Sequence, residues 1–171
     1  MKILITCLTC LFIMHSALAQ EFEVPVGYEF KSKQDYIKYR KEIIEASKWL
    51  QSTPLDINSK KRKEISIFVA SYVNGNPFFN VDVSQTIIEI EKKNPGMLML
   101  YLAGNARFVL ENNYSQDKIS MEKAALKGMI DMYVKGIGIQ KDKNMERLVR
   151  ADDKGKMDQW IDENIKIEKR D

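Results

Sequence analysis

The chain has 171 residues, 44% of them hydrophobic and 30% charged, and its 27 Lys and Arg against 24 Asp and Glu leave a net charge of +3. So small a surplus gives no electrostatic footprint for nucleic acid, while the apolar fraction is ample for a packed core. Its two cysteines, Cys7 and Cys10, and its single histidine, His15, all lie near the N-terminus.

That N-terminus has the pattern of a secretory leader. Lys2 precedes an apolar run over residues 3–14, then His15-Ser16 and the small-residue stretch Ala17-Leu18-Ala19. Cleavage after Ala19 is expected, because the run falls short of the ~20 residues a membrane span needs. Export to the periplasm or beyond follows. Cleavage would remove Lys2, lowering the net charge to +2, together with every Cys and His. Disulfides, thiol nucleophiles, Cys or His zinc sites, the Ser-His-Asp triad and histidine bases would then be excluded together. No cofactor or metal is expected; Lys141-Asp142-Lys143-Asn144 lacks the acidic spacing of a calcium loop.

Residues 20–31 alternate apolar and polar with no partner strand nearby, so they read as an extended arm laid on the domain. Ser32 with Asp35 three residues on is a capping-box-like start, and Tyr36, Tyr39, Ile43 and Leu50 make a helical stripe to about residue 51, where Thr53-Pro54 stops it. Asp56 or Ser59 can cap a second helix carrying Ile65, Phe68, Val69 and Tyr72, which Asn74-Gly75-Asn76-Pro77 ends. Its first turn holds Lys60, Lys61, Arg62 and Lys63, four cations at the positive end of the macrodipole. They are candidates for an anion or acidic-partner patch, against the plainer possibility of a solvated helix end. Residues 78–84 read as a loop whose aromatics pack inward. A short helix follows, capped by Asp82 or Ser84.

The most apolar stretch is 97–110, MLMLYLAGNARFVL. Asn94 is placed as an N-cap with Pro95 at the first helical position, and Asn112-Asn113 closes the helix. At ~1.5 Å per residue it is too short for a ~30 Å hydrocarbon core, so it is expected at the centre of the fold. Gly104, with Ala103 and Ala106, offers a face where another helix backbone can come close. Asn105 and Arg107 are the polar residues of this element and the candidate ligand contacts; the alternative is hydrogen bonding at the rim of the core, with Arg107 paired to Glu111. Asp117 caps a helix over 118–135 whose apolar face is Met121, Ala125, Leu126, Met129 and Met132, with Lys118, Glu122, Lys123 and Lys127 expected outside it. Helix 143–154 and a last one through Met157, Trp160 and Ile161 complete the chain, with the charged tail 166–171 expected to fray.

Met132-Tyr133, Gly136, Gly138-Ile139 and Asp142 are spaced as in the turn of a Sel-one-like repeat, the helical relative of the tetratricopeptide repeat. The resemblance implies that Gly136 ends one helix, Gly138 allows the tight loop and Asp142 caps the next. It departs from the family at Ile130, where the pattern has glycine, and no second copy follows, so it implies one helical hairpin rather than a solenoid. The arrangement as a whole also resembles small exported helical proteins of Gram-negative bacteria, a likeness that carries no site residues.

These readings predict an all-α chain. Its single domain over 32–168 would be an orthogonal or irregular bundle of about six to seven helices with a C-terminal helical hairpin and a central buried helix at 95–112. The function expected of it is non-catalytic binding of a protein partner. The alternatives are a carboxylate-dependent enzyme acting on cell-envelope glycan, since two carboxyls can supply acid and base without histidine, or an inhibitor of an exported enzyme. Asp152-Asp153 and the pair Glu122 and Asp131 are the carboxylates to be weighed.

Overall fold

The computed structural model describes residues 22–165. The predicted leader, the first two residues of the predicted arm and the tail 166–171 lie outside the described residues. Among those described there are eight helices: α1 (Lys33–Lys38), α2 (Arg40–Ser52), α3 (Ser59–Asn74), α4 (Gln85–Lys93), α5 (Met97–Glu111), α6 (Lys118–Lys135), α7 (Lys143–Asp153) and α8 (Met157–Asn164). The all-α bundle is as predicted. The additional helix arises because the first predicted one divides at Tyr39, whose ψ of 10° turns the chain between α1 and α2.

α5 is the packing axis. Met97, Leu100, Tyr101, Ala103, Ala106, Val109 and Leu110 are all buried, and α2, α3, α4 and α6 pack around them. Gly104 explains how α6 comes so near: a Cβ there would lie 2.6 Å from the Ala125 Cα. A second, aromatic layer sits where the N-terminal arm crosses α3. Phe30 lies between Tyr36, Tyr39, Phe68 and Tyr72 at ring-centroid distances of 5.2–5.8 Å, a spacing at which edge-to-face and offset stacking are favourable.

The start of α5 differs from expectation. Its N-cap is Gly96 at φ 102°, two residues later than the predicted Asn94 cap. Glu91, at the end of α4, supplies the missing acceptor: its carboxylate takes the N–H groups of Gly96 at 3.0 Å and Leu98 at 2.7 Å. Asn94 is used elsewhere. Its side-chain amide donates to the Gln140 carbonyl at 3.0 Å and accepts the Gln140 N–H at 2.7 Å, fastening the α6–α7 turn to the α4–α5 junction. A polar side chain placed between two turns satisfies whichever backbone is left unpaired, which local spacing cannot reveal.

The α6–α7 hairpin is built as its sequence implied. Gly136 ends α6 in the left-handed region at φ 71°, Gly138 repeats that geometry at φ 70°, and Asp142 accepts the Met145 N–H at 2.9 Å. Tyr133 closes the hairpin by accepting the Asp142 N–H at 2.9 Å. Asp117 and Ser84 cap α6 and α4, accepting from Ser120 and Ile87. At α3 neither predicted cap is used; Asn58 takes the position at φ 52° without a side-chain bond.

Candidate functional site

An open cleft of about 920 Å³ lies between α2, α5, α6 and α7. Helical spacing sets its walls. Gly104, Arg107, Phe108 and Glu111 recur at three- and four-residue intervals along α5, and Ala124, Gly128, Asp131 and Lys135 do the same along α6, so each set shares one face. α2 contributes Lys48 and Gln51, and the end of α7 contributes Asp152 and Asp153.

Four cations and four carboxylates line this cleft: Lys48, Arg107, Lys127 and Lys135 with Glu111, Asp131, Asp152 and Asp153. Most are already in contact. Arg107 Nε meets Glu111 Oε2 at 3.0 Å, and Lys48 reaches the other Glu111 oxygen at 3.5 Å. Lys127 stands between Asp152 at 3.0 Å and Asp131 at 3.4 Å. Arg107 also donates to the Gln51 amide oxygen at 3.2 Å, tying α5 to α2 across the floor. The Gln51 amide nitrogen lies over the bare backbone of both Gly104 and Gly128, where any Cβ would meet it.

The predicted site residues separate. Arg107 is in the cleft wall with Glu111, as its spacing suggested. Asn105, two positions away, points into the core: it is fully buried and donates to the Tyr101 carbonyl at 3.0 Å. Of the basic run, Arg62 is only 9% exposed and lies over the Trp49 ring, donating to the Leu50, Thr53 and Pro54 carbonyls at the end of α2. Burial pulls its guanidinium below the usual arginine range, against the opposing pull of Asp56. Lys61 pairs with Glu23 at 2.7 Å, while Lys60 and Lys63 remain exposed. With its third member turned inward, the run is not one continuous patch. The dipole penalty of four cations is relieved because Arg62 serves the carbonyl end of another helix.

Glu122 requires a correction, since it is on the core side of α6 and 2% exposed. Its carboxyl group meets the Tyr101 hydroxyl at 2.6 Å. Burial pushes this carboxyl up to about 7, the Tyr101 hydrogen bond opposing the shift and Asp82 adding to it. A polar residue on an apolar helix face is misread whenever its partner comes from another element. Asp131, its supposed companion, is instead joined to Asp152 through Lys127.

The sequence signal for the cleft was the i, i+4, i+8 series Lys127, Asp131 and Lys135 next to Gly128, a glycine inside a helix with no turn to make. Lys48 and Gln51 gave no signal of their own. Among the described residues no group of three His, Cys, Asp or Glu is placed to hold a metal ion.

Comparison of the chain with protein-family models, curated proteins and solved structures finds no match.

Proposed function

We propose that the protein is a non-catalytic exported binding protein whose partner is a protein and whose binding surface is the cleft between α2, α5, α6 and α7. The observation that carries this is the pairing inside the cleft. Glu111, Asp131 and Asp152 are each within 3.5 Å of a lysine or arginine, so the cleft presents both signs of charge side by side. Glycan hydrolysis asks for a different arrangement, one carboxyl held protonated opposite one held ionised. The carboxyl raised by burial, Glu122, is outside the cleft.

The volume is at the upper end of the ~300–1,000 Å³ found for ligand sites. Val134 and Val149 are shared with a smaller, more apolar hollow lined also by Tyr133 and Ile139, so an apolar foothold adjoins the charges. An apolar centre beside a charged rim is the anatomy of a protein–protein contact. A peptide segment carrying both signs of charge next to one apolar side chain fits this surface. Export rests on the leader pattern at residues 1–19. No helix among the described residues is long and apolar enough to cross a membrane.

The test is capture from envelope and extracellular fractions, with the intact protein and with an Arg107→Glu, Lys127→Glu variant as baits. A protein retained by the first and lost with the second is expected. Equal retention by both, or none by either, overturns the assignment. An N-terminus found at Met1 in cytoplasmic protein would overturn export.

A further inference from the structure

The α5–α6 contact contains a hydrogen-bond chain whose protons can be counted. Glu122 Oε2 lies 2.6 Å from the Tyr101 hydroxyl oxygen, and that same oxygen lies 2.9 Å from the backbone carbonyl oxygen of Asp82. Two oxygen–oxygen contacts of this length need one proton each. The Asp82 carbonyl brings none and the phenol brings one. The other has only Glu122 to sit on.

We propose that Glu122 is a neutral carboxylic acid in the folded protein, donating to Tyr101, which in turn donates to the Asp82 carbonyl, and that loss of the Glu122 proton unhooks the segment around Asp82 from α5. The chain is thus a pH-operated latch between α6, α5 and the 76–84 loop. When Glu122 ionises, the phenol proton turns to the carboxylate, because a charged acceptor binds it about twice as strongly as a neutral carbonyl. The Asp82 carbonyl is then left without its donor.

The surroundings support a neutral Glu122. Burial is the largest influence on it and pushes its carboxyl up to about 7, and the Asp82 carboxylate acts in the same direction. Lys118 opposes them, but its Nζ is engaged at 2.7 Å with that Asp82 carboxylate. Tyr101 is itself raised, first by burial and then by Glu122, so the phenol keeps its proton throughout the relevant range. The Asp82 side chain stays tied to α6 by the Lys118 ion pair, and Gln116 holds the start of the loop by donating to the Phe78 carbonyl at 3.1 Å. Release is therefore confined to the Asp82 backbone carbonyl and its immediate neighbours. Asn80, Val81, Asp82 and Val83 form one wall of a hollow of about 690 Å³ opposite Ala70 and Val73 of α3, and this is the wall the latch holds.

The experiment is NMR on the full chain with its glutamate carboxyl carbons labelled, followed from acid to mildly alkaline pH. One signal, absent from Glu122→Gln, is expected to titrate near pH 7, well above the 4.5 of the free group. With the backbone carbonyl carbons labelled as well, the Asp82 carbonyl signal is expected to shift over the same midpoint, reporting the loss of the one hydrogen bond that this carbonyl accepts from Tyr101. In Glu122→Gln, whose amide can donate at every pH, the Asp82 carbonyl signal does not move at that midpoint. In Tyr101→Phe the carboxyl midpoint rises further and the Asp82 carbonyl signal stays at its released position across that midpoint. A Glu122 signal that titrates near the free-group value of 4.5 overturns the neutral acid. An Asp82 carbonyl signal that ignores the Glu122 midpoint, or that still follows it in Tyr101→Phe, overturns the latch.

Discussion

Gly104 of α5 and Ala125 of α6 lie so close that a Cβ on the first would come within 2.6 Å of the Cα of the second. The neighbouring atom is backbone and cannot rotate away. Gly104→Ala is expected to lose stability although alanine favours a helix by ~1 kcal/mol, because overpacking costs ~1–3 kcal/mol. Gly128→Ala makes a contrast, since its Cβ would meet only the flexible Gln51 side chain. Urea unfolding should show the first destabilised and the second near wild type, the Gln51 side chain swinging aside and giving up its hydrogen bond from Arg107.

Arg107 and Glu111 have side chains 39% and 35% exposed. An ion pair so open to solvent is screened and contributes ~0–1 kcal/mol. Arg107→Ala should therefore melt within a few degrees of wild type. A folded variant that no longer retains the captured protein is the expected result; a large fall in melting temperature would make Arg107 a structural residue.

Arg62 behaves in the opposite way. Its guanidinium satisfies three carbonyls at the end of α2 while nearly buried. Arg62→Ala is expected to cost about 2–3 kcal/mol in urea unfolding by removing the donor to the Leu50 and Thr53 carbonyls, the Pro54 carbonyl still accepting from Ile57, whereas Lys60→Ala and Lys63→Ala should change stability by less than about 0.5 kcal/mol.

Glu91 caps α5 from outside it. Removing the carboxylate leaves the Gly96 and Leu98 N–H groups without an acceptor at a helix N-terminus. Glu91→Ala should cost about 1–2 kcal/mol, read as a lower thermal midpoint, with Asn94→Ala a separate loss because it unfastens Gln140 from the α4–α5 junction.

Glu122 sets a pH dependence with a definite sign. Its carboxyl is at about 7 when folded against 4.5 for the free group, so between those values the folded state holds more protons than the unfolded. Stability then falls as pH rises through that window and levels off above it, by about 3 kcal/mol at most. Urea midpoints measured across the window should decline for the wild type and lose that slope in Glu122→Gln.

What the sequence determined by itself is what repeats along the chain. Apolar spacing located the helices, Ser32, Ser84, Asp117 and Asp142 announced their starts, Gly136 announced an end, and the bareness of Gly104 announced a close approach. These are local effects, decided within a few residues by backbone hydrogen bonding and side-chain volume. What only the tertiary structure decided is where polar side chains find partners distant in sequence. Glu122 is in the core because Tyr101 waits there, Arg62 because the end of α2 needs donors, Asn94 because Gln140 does. The cleft exists because Lys48, Arg107, Lys127 and Asp152 come from four helices. A hydrogen bond or ion pair satisfies a group through whatever lies within about 3 Å, and the sequence carries no record of that distance until the helices have packed.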